Sequence, residues 1–235
     1  SGIPTVAFGG GYGWYNPASK IPYFYSDNRA VAHLVADHLL QRGFRQFAYC
    51  GYRKGPITGY SEERAAAFGD RVLAAGGRLG WVHLGPFEDH RNWALLQDRL
   101  RLWLESLPKP IGLMAVNDKA ARRVLEACRA SGIRVPEEIA VIGVDNDEML
   151  CELSNPPASS VEQGARRIGF QAAALLDRMM SGRKPRRLKR VISPEGIVVR
   201  RSSDIIAVED KDVARALAVI QARACSGIKV HDVAA

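Results

Sequence analysis

The stretch Ile139–Glu148, with the sequence IAVIGVDNDE, decides the fold class of this chain. Its first six residues are apolar or glycine, which is typical of a strand buried on both faces of a sheet. Four acidic or amide residues follow at once, namely Asp145, Asn146, Asp147 and Glu148. Polar side chains at the end of a buried strand have a use in a parallel sheet, because ligands of such sheets bind outside the carboxyl ends of the strands.

The alternation of strand and helix extends over most of the chain. The predicted strands are Pro4–Phe8, Pro22–Tyr25, Gln46–Gly51, Leu79–Leu84, Ile111–Val116 and Ile139–Val144. The predicted helices run from the Asp27-Asn28 cap to Gly43, from Ser61 to Gly76, from Asn92 to Leu107, from Lys119 to Ser131, and from about Gln163 to Met180. Strands that alternate with helices of ten or more residues predict an α/β fold with doubly wound parallel sheets.

Length and composition exclude several classes of protein. The chain has 235 residues, 47% of them hydrophobic, which suffices for one large domain or two lobes. No apolar stretch approaches the ~20 residues of a membrane span, and the opening SGIPTV resembles no signal peptide. The 4 cysteines are scattered without a CxxC pair, which predicts reduced thiols in a cytoplasmic protein. No histidine and cysteine cluster has zinc spacing, so we expect no metal and no cofactor.

The net charge of +8 is concentrated in one segment. Residues Arg183–Arg201 contain eight basic side chains and one acidic side chain, Glu195, which gives a net charge of +7. A local basic patch can attract nucleic acid, and the alternative is a solvated loop and strand edge. We expect Arg183–Arg190 to form an exposed connection after the last long helix.

Candidate binding residues lie at equivalent strand ends. Two predicted strands end directly in polar residues, and a third leads to one in the first turns of the next helix. These residues are Asn117 with Asp118, Asp145 with Asn146, and Arg64. Carboxylates accept hydrogen bonds and a guanidinium donates them, so this set suits a small molecule with several hydroxyl groups. Each has a structural alternative: the aspartates are helix caps, Asn117 is a turn residue, and Arg64 pairs with a neighbouring glutamate.

Four segments occur in a specific order along the chain: MAVNDKAARRVL, IRVPEEIAVIGVDND, SSVEQGARRIGFQAAALL and VVRRSS. In this order they resemble the effector domains of the LacI/periplasmic-binding-protein family, and the similarity extends over about Ile3–Ser203. The resemblance implies two lobes with an effector bound between them. It further implies that the stretch DNRAVAHLVADHLLQRGFRQFAYCG enters the later strands of the amino-terminal lobe. Part of that lobe is then expected to precede Ser1.

The resemblance also implies which residues contact the ligand. They are Arg64, Asn117, Asp118, Asp145, Asn146 and Gln163. Arg64 is expected to contact the effector from the amino-terminal side of the cleft, and Gln163 to lie near the hinge. Asn146 occupies a position that varies in the family. Tyr12 and Trp14 of the loop Gly9–Pro17 either stack on a sugar ring or pack in the core or lid.

The last segment, DKDVARALAVIQARACSGIKVHDVAA, resembles the opening helix of an AraC-type DNA-binding domain. Val213, Leu217 and Ile220 are the apolar stripe of that helix. The resemblance implies an effector domain at residues 1–203 and, at 204–235, a linker with the first helices of a truncated all-α helix-turn-helix domain. Residues Val191–Ser203 are then the hinge that transmits a change in lobe closure.

The expected function is a sugar-responsive transcription regulator. We expect a cytoplasmic homodimer that binds D-xylose or another pentose, and that binds DNA through a domain mostly absent from this chain. The alternative is a periplasmic sugar-binding protein of a transport system. An enzyme is less favoured, because the sequence has no nucleophile elbow, no metal motif and no dinucleotide fingerprint that opens a helix.

Overall fold

The structure is a computed structural model that describes residues 3–9, 20–53, 55, 58–84, 93–185, 188–207, 212–213, 216, 219–220, 223 and 227–229. In chain order the elements are β1 (Ala7–Phe8), β2 (Tyr23–Ser26), α1 (Asn28–Gln41), β3 (Gln46–Tyr52), α2 (Gly59–Ala74), β4 (Arg78–Leu84), α3 (Trp93–Ser106), β5 (Ile111–Ala115), α4 (Asp118–Ala130), β6 (Ile139–Val144), α5 (Glu148–Glu152), β7 (Ser159–Glu162), α6 (Ala165–Met180), β8 (Lys189–Ile192), β9 (Gly196–Val198) and a 3-10 helix, Arg201–Ser203. Within the described residues these strands form two sheets, each with its own hydrophobic core.

The larger sheet has six strands in the order β4-β3-β5-β6-β7-β9. The first five are parallel, and β9 is antiparallel to β7. Helices α1 and α2 pack together over the sheet, and α3 packs on α4. This arrangement confirms the predicted α/β class, although the antiparallel edge strand β9 was not predicted. The strand order reverses between β3 and β5, which is the switch point where such sheets bind ligands.

The smaller sheet has three parallel strands in the order β1-β2-β8 and is covered by α6. Its core consists of Phe24 and Ile192 from the strands and Ile168, Ala172 and Leu175 from the helix. The second sheet with a separate core confirms the two-lobed architecture.

Three segments cross between the two lobes, and we refer to them as the crossing segments. The first is Asp27-Asn28, between β2 and α1, and the second is Gln163-Gly164, between β7 and α6. The third is Ser193–Glu195, between β8 and β9. Backbone hydrogen bonds hold them side by side, from Asp27 N to Ile192 O at 2.9 Å and from Glu195 N to Glu162 O at 2.7 Å.

The stretch from Asp27 to Gly51 does not belong to the smaller, amino-terminal lobe, so that prediction is wrong. Its helix α1 buries Val31, Val35 and Leu39 in the core of the larger sheet, and β3 is a strand of that sheet. The crossing therefore precedes α1, which a local sequence pattern cannot reveal because α1 has the same amphipathic form in either lobe.

Two predicted boundaries near the carboxyl end also differ from the structure. The helix expected from about Gln163 begins at Ala165, because Gly164 at its start adopts a left-handed φ of 75°. Lys189 and Arg190 belong to β8 rather than to an exposed connection. The predicted hinge Val191–Ser203 contains the end of β8, a crossing segment, β9 and the 3-10 helix.

The described positions 212–213, 216, 219–220 and 223 are helical, in agreement with the helix predicted there. Leu217 of its apolar stripe lies outside the described residues, as do Tyr12 and Trp14. The thiols of Cys50, Cys128 and Cys151 are buried and free, as predicted. Among the described residues, no helix combines the length and hydropathy that a bilayer span requires.

Candidate ligand-binding site

Arg64 is the centre of a hydrogen-bonded cluster beside the carboxyl end of β5. The residue is 2% exposed. Its Nε donates to Asn28 Oδ1 at 2.9 Å, its Nη2 donates to Gln163 Oε1 at 2.9 Å, and its Nη1 donates to the carbonyl oxygen of Val116. Asn28 and Gln163 each belong to a crossing segment, so one guanidinium joins two crossing segments to the larger sheet.

The first turn of α2 sets the position of Arg64. Ser61 Oγ accepts a hydrogen bond from the backbone N–H of Tyr52 at 3.0 Å, and Tyr49 Oη donates to the carbonyl oxygen of Ser61 at 2.8 Å. These buried bonds hold α2 against β3, and Arg64 lies about one turn further along the helix. The predicted approach of Arg64 from the amino-terminal side is therefore wrong, because α2 belongs to the larger lobe.

The alternative in which Arg64 pairs with a neighbouring glutamate is also not observed. Glu63 instead accepts a hydrogen bond from Asn28 Nδ2 at 3.0 Å. Asn28 thus uses both ends of its amide, one toward Glu63 and one toward Arg64.

Asp145 extends this cluster through Gln163. Gln163 Nε2 donates to Asp145 Oδ1, and the same amide accepts from Arg64. Asp145 has a φ of 122°, which is unusual for a residue with a side chain and is often found at functional sites. Burial of the carboxyl group raises its pKa, nearby Asp118 raises it further, and Arg64 opposes the rise. Because the residue as a whole is accessible to solvent, water moderates this rise.

Asn117 lies at the same edge of the sheet and has a structural role as well. Its Oδ1 accepts from the backbone N–H of Ala120 at 3.0 Å, which caps α4, and from Tyr52 Oη at 3.2 Å. Tyr60 lies beside this group, with its ring centroid 5.1 Å from Arg64 Cζ. Burial and the neighbouring Tyr52 raise the pKa of Tyr60 to about 12, so its hydroxyl is a neutral donor at physiological pH.

Asp118 uses both carboxylate oxygens in hydrogen bonds within the protein. It is 2% exposed, and its two carboxylate oxygens accept from Ser160 Oγ at 2.6 Å and from Asp147 N at 2.8 Å. Burial raises its pKa, and these two hydrogen bonds counteract the rise. Neither Asp118 nor Asp145 is a helix cap, because the caps of α4 and α5 are Asn117 and Asp147.

Asn146 is bound to Arg200 rather than to a residue of the Arg64 cluster. Its Oδ1 accepts from Arg200 Nη1 at 3.0 Å. Arg200 also donates to Glu152 Oε1 and to the carbonyl oxygen of Ala158. The loop that carries Asp145 is thereby attached to the segment that follows β9.

The structure thus joins Arg64, Gln163 and Asp145 by hydrogen bonds and places Asn117 at the same edge, whereas Asp118 and Asn146 are engaged elsewhere. It adds three residues that the sequence interpretation did not identify, namely Asn28, Tyr52 and Tyr60. Asn28 follows the end of β2, so the strand-end argument applied to Asp145 would have found it. Tyr52 likewise follows the predicted strand Gln46–Gly51 directly, whereas Tyr60, in the first turn of α2, had no such signal.

A family model for the periplasmic binding protein-like domain matches residues 36–203. The xylose operon regulatory protein of Haemophilus influenzae is 38% identical to this chain over 231 residues, and that of Escherichia coli is 36% identical. Each alignment covers 98% of this chain and 59% of the relative, so the chain spans about three-fifths of the length of these relatives.

Solved structures show the same similarity. A structure of a xylose-binding transcription activator superposes with a TM-score of 0.79 at 36% identity, covering 98% of this chain and 60% of the other. A complex of the transcriptional regulator CelR with cellobiose superposes with a TM-score of 0.68 at 25% identity, covering 86% and 59%. With the two lobes, the crossing segments and the family match over most of its length, the chain belongs to the family of periplasmic binding protein-like domains.

Proposed function

We propose that this chain contains the effector domain of a sugar-responsive transcription regulator whose effector is D-xylose. The effector domain comprises residues 1–203, and residues 204–235 are a linker and the first helices of a carboxyl-terminal AraC-type DNA-binding domain. The whole protein is a cytoplasmic homodimer. Support comes from the 36% and 38% identity to xylose operon regulatory proteins and from the similarity to a xylose-binding transcription activator.

The observation that carries the proposal is the hydrogen-bonded chain Arg64–Gln163–Asp145 at the switch point of the larger sheet. Arg64 supplies donors and Asp145 supplies an acceptor, which is what a polyhydroxylated ligand requires. A sugar hydroxyl that accepts from Arg64 and donates to Asp145 takes over both roles of the Gln163 amide. Sugar binding therefore changes the contacts of a crossing segment, and a ligand shifts the lobes only through such a difference.

Helix α1 offers a path from this site to the end of the described domain. Asn28, which contacts Arg64, lies at its first turn. Near its other end, about 15 Å away, His38 Nε2 lies 3.2 Å from Ser203 Oγ. Beyond the helix, the carbonyl oxygen of Arg42 accepts from Ala207 N at 2.7 Å.

Strand β7 offers a second path in the same direction. Gln163 follows its carboxyl end, and Ser159 is its first residue. Ser159 Oγ accepts from Ser203 Oγ at 2.8 Å, and the backbone N–H of Ser159 donates to Ser202 Oγ at 2.8 Å. Helix α1 and strand β7, which reach Arg64 through Asn28 and Gln163, therefore both also bind the segment that precedes residue 204.

A transport-linked sugar-binding protein shares the fold, and the regulatory relatives are the reason for preferring regulation. The same relatives disfavour an enzyme, since those named above are transcription regulators.

Calorimetry with D-xylose tests the proposed effector. We expect saturable binding that is weakened at least tenfold in Arg64→Lys, because lysine cannot reproduce the planar fork of donors. Arg71→Lys is the matched control, since Arg71 lies on the same helix, is largely exposed and pairs with Asp37. Absence of D-xylose binding would refute the proposed effector, and equal effects of the two variants in folded proteins would remove the Arg64 cluster from the site.

Hydrogen exchange tests the two paths. Saturating D-xylose should slow amide exchange at residues 200–207 as well as around the cleft. If only the cleft is protected, the proposal of sugar binding stands, but the proposed transmission through α1 and β7 is contradicted.

A further inference from the structure

A basic groove runs between α6 and β8 on the smaller lobe. One part, about 600 Å³, is lined by Leu175 and four cations: Arg178, Arg183, Lys184 and Arg190. The adjoining part, about 730 Å³, shares Arg190 and is also lined by Arg167 and Lys189. Because Arg190 lines both parts, we treat them as one basic groove. No acidic side chain is among the described residues that line it.

The groove accounts for only part of the positive segment, and two other described residues of that segment are paired with acids. Arg200 and Arg201 pair with Glu152 and Glu137, with N–O distances of 2.5 and 3.3 Å. By contrast, Arg178, Arg183 and Lys184 are exposed, and the described residues provide no ion pair for them. The charge of these three residues of the basic groove is therefore available to an external anion.

Two structural explanations account for part of this charge. Arg178 lies in the last turn of α6, where a cation stabilises the helix dipole. Arg190 is held over the Phe24 ring, with its Cζ 5.5 Å from the centroid. Neither explanation applies to Arg183 and Lys184, which follow the helix and line the same groove. The Phe24 contact also fixes one guanidinium in place before any ligand arrives.

The position of the groove separates it from the end of the effector domain. Helix α6 begins beside Gln163 at the cleft, and the part of the groove that Arg178, Arg183 and Lys184 line is at its other end, about 23 Å away. Helix α1 begins at the cleft in the other lobe and ends near Arg42, where Ala207 is bound. The groove and the segment after Ala207 therefore lie on opposite sides of the cleft.

We infer that the basic groove binds the phosphate backbone of duplex DNA, as a contact additional to any made by residues beyond Ala207. A row of cations with no acid among the described lining residues fits a ligand with regularly spaced negative charges, and phosphate contacts need no base-specific geometry. Duplex DNA is favoured over other polyanions because the relatives are transcription regulators. The inference rests on the proposed regulatory function but not on the identity of the effector.

The test measures binding of the 235-residue chain to a fluorescent duplex of scrambled sequence, by anisotropy between 50 and 200 mM salt. The variant Arg178→Gln/Arg183→Gln/Lys184→Gln removes three groove cations. The control Arg78→Gln/Arg99→Gln/Arg129→Gln removes three exposed cations from the larger lobe and has the same net charge. Circular dichroism verifies that both variants are folded.

If each groove cation contacts one phosphate, the slope of log K against log salt falls by about 0.9 per contact. Between 50 and 200 mM salt, the affinity of the triple variant should then fall by a factor roughly 40 times smaller than that of the unsubstituted chain. The control should retain the original slope. Equal slopes for all three proteins, or equal reductions in the two variants, would overturn the inference, as would groove-dependent binding to anionic lipid vesicles without binding to DNA.

Discussion

Asp118 and Asp145, which follow adjacent strands, should differ in what the same substitution weakens. Asp118→Asn and Asp145→Asn each replace a carboxylate by an amide of nearly equal shape. Asp118 is 2% exposed and accepts two hydrogen bonds, whereas Asp145 is exposed and accepts one from Gln163. We therefore expect the first variant to lose stability and the second to lose affinity for sugar.

The magnitudes follow from the partners. In Asp118→Asn, one amide nitrogen must face either Ser160 Oγ or the N–H of Asp147, and a charge-assisted bond is worth roughly 1.5–3 kcal/mol. With the remaining bond weakened by loss of charge, the free energy of unfolding should fall by roughly 2–5 kcal/mol. In Asp145→Asn the unfolding free energy should change by less than about 1 kcal/mol, because the residue as a whole is accessible to solvent and asparagine keeps an oxygen that accepts from Gln163 Nε2.

Urea unfolding and D-xylose calorimetry on the same preparations separate these effects. Asp145→Asn should lower the D-xylose affinity about 5- to 150-fold, which corresponds to roughly 1–3 kcal/mol for an unpaired sugar hydroxyl. Asp118→Asn should retain near-normal affinity wherever it is still folded. A stable Asp118→Asn protein that has lost D-xylose binding would show that Asp118 lines the site, and the reasoning from its buried hydrogen bonds would be refuted.

Three further predictions concern the fold. Burial, then the charge of Arg42, lowers the pKa of His38 to about 4. As the pH falls from 6.5 to 4, the unfolded chain binds a proton that the folded chain does not, so the free energy of unfolding should fall by roughly 3 kcal/mol. Urea unfolding of His38→Gln should show a smaller fall over the same range. Gly143→Ala should cost roughly 1–3 kcal/mol in the same assay, because its Cβ would lie 2.3 Å from Asp118 Oδ1. Burial raises the pKa of the Cys50 thiol, so a thiol reagent should label it only after unfolding, and rapid native labelling would contradict the observed packing.

Much of the larger sheet was predictable because its strands are recognisable one at a time. The apolar run Ile139–Val144 is buried along its whole length, so composition alone marks it. Short elements gave no comparable signal. Helix α5 has five residues, fewer than two turns, and β9 has three, so neither can show a period.

The polar residues at the strand ends were predicted more easily than their roles. Adjacency to a strand end identifies Asp118 and Asp145 equally, because both follow buried strands. What distinguishes them is Ser160, 42 residues from Asp118 in sequence, whose hydroxyl donates a hydrogen bond to the Asp118 carboxylate. A hydrogen bond between residues so far apart depends on strand order, which no local pattern fixes. The lobe of Arg64 was mispredicted for the same reason.

With sugar bound as proposed, the Arg64 cluster would explain why a small ligand acts on the arrangement of the two lobes. The guanidinium is buried and has five N–H donors, three of which bind Asn28, Gln163 and the end of β5. A buried donor that loses its partner costs about 1–3 kcal/mol, so Arg64 favours whichever lobe arrangement keeps these acceptors within reach. A sugar hydroxyl that replaces Gln163 removes that constraint without leaving Arg64 unpaired. The crossing segment that carries Gln163 is then free to adopt a new position, and β7 connects it to Ser203 at the end of the family-matched region.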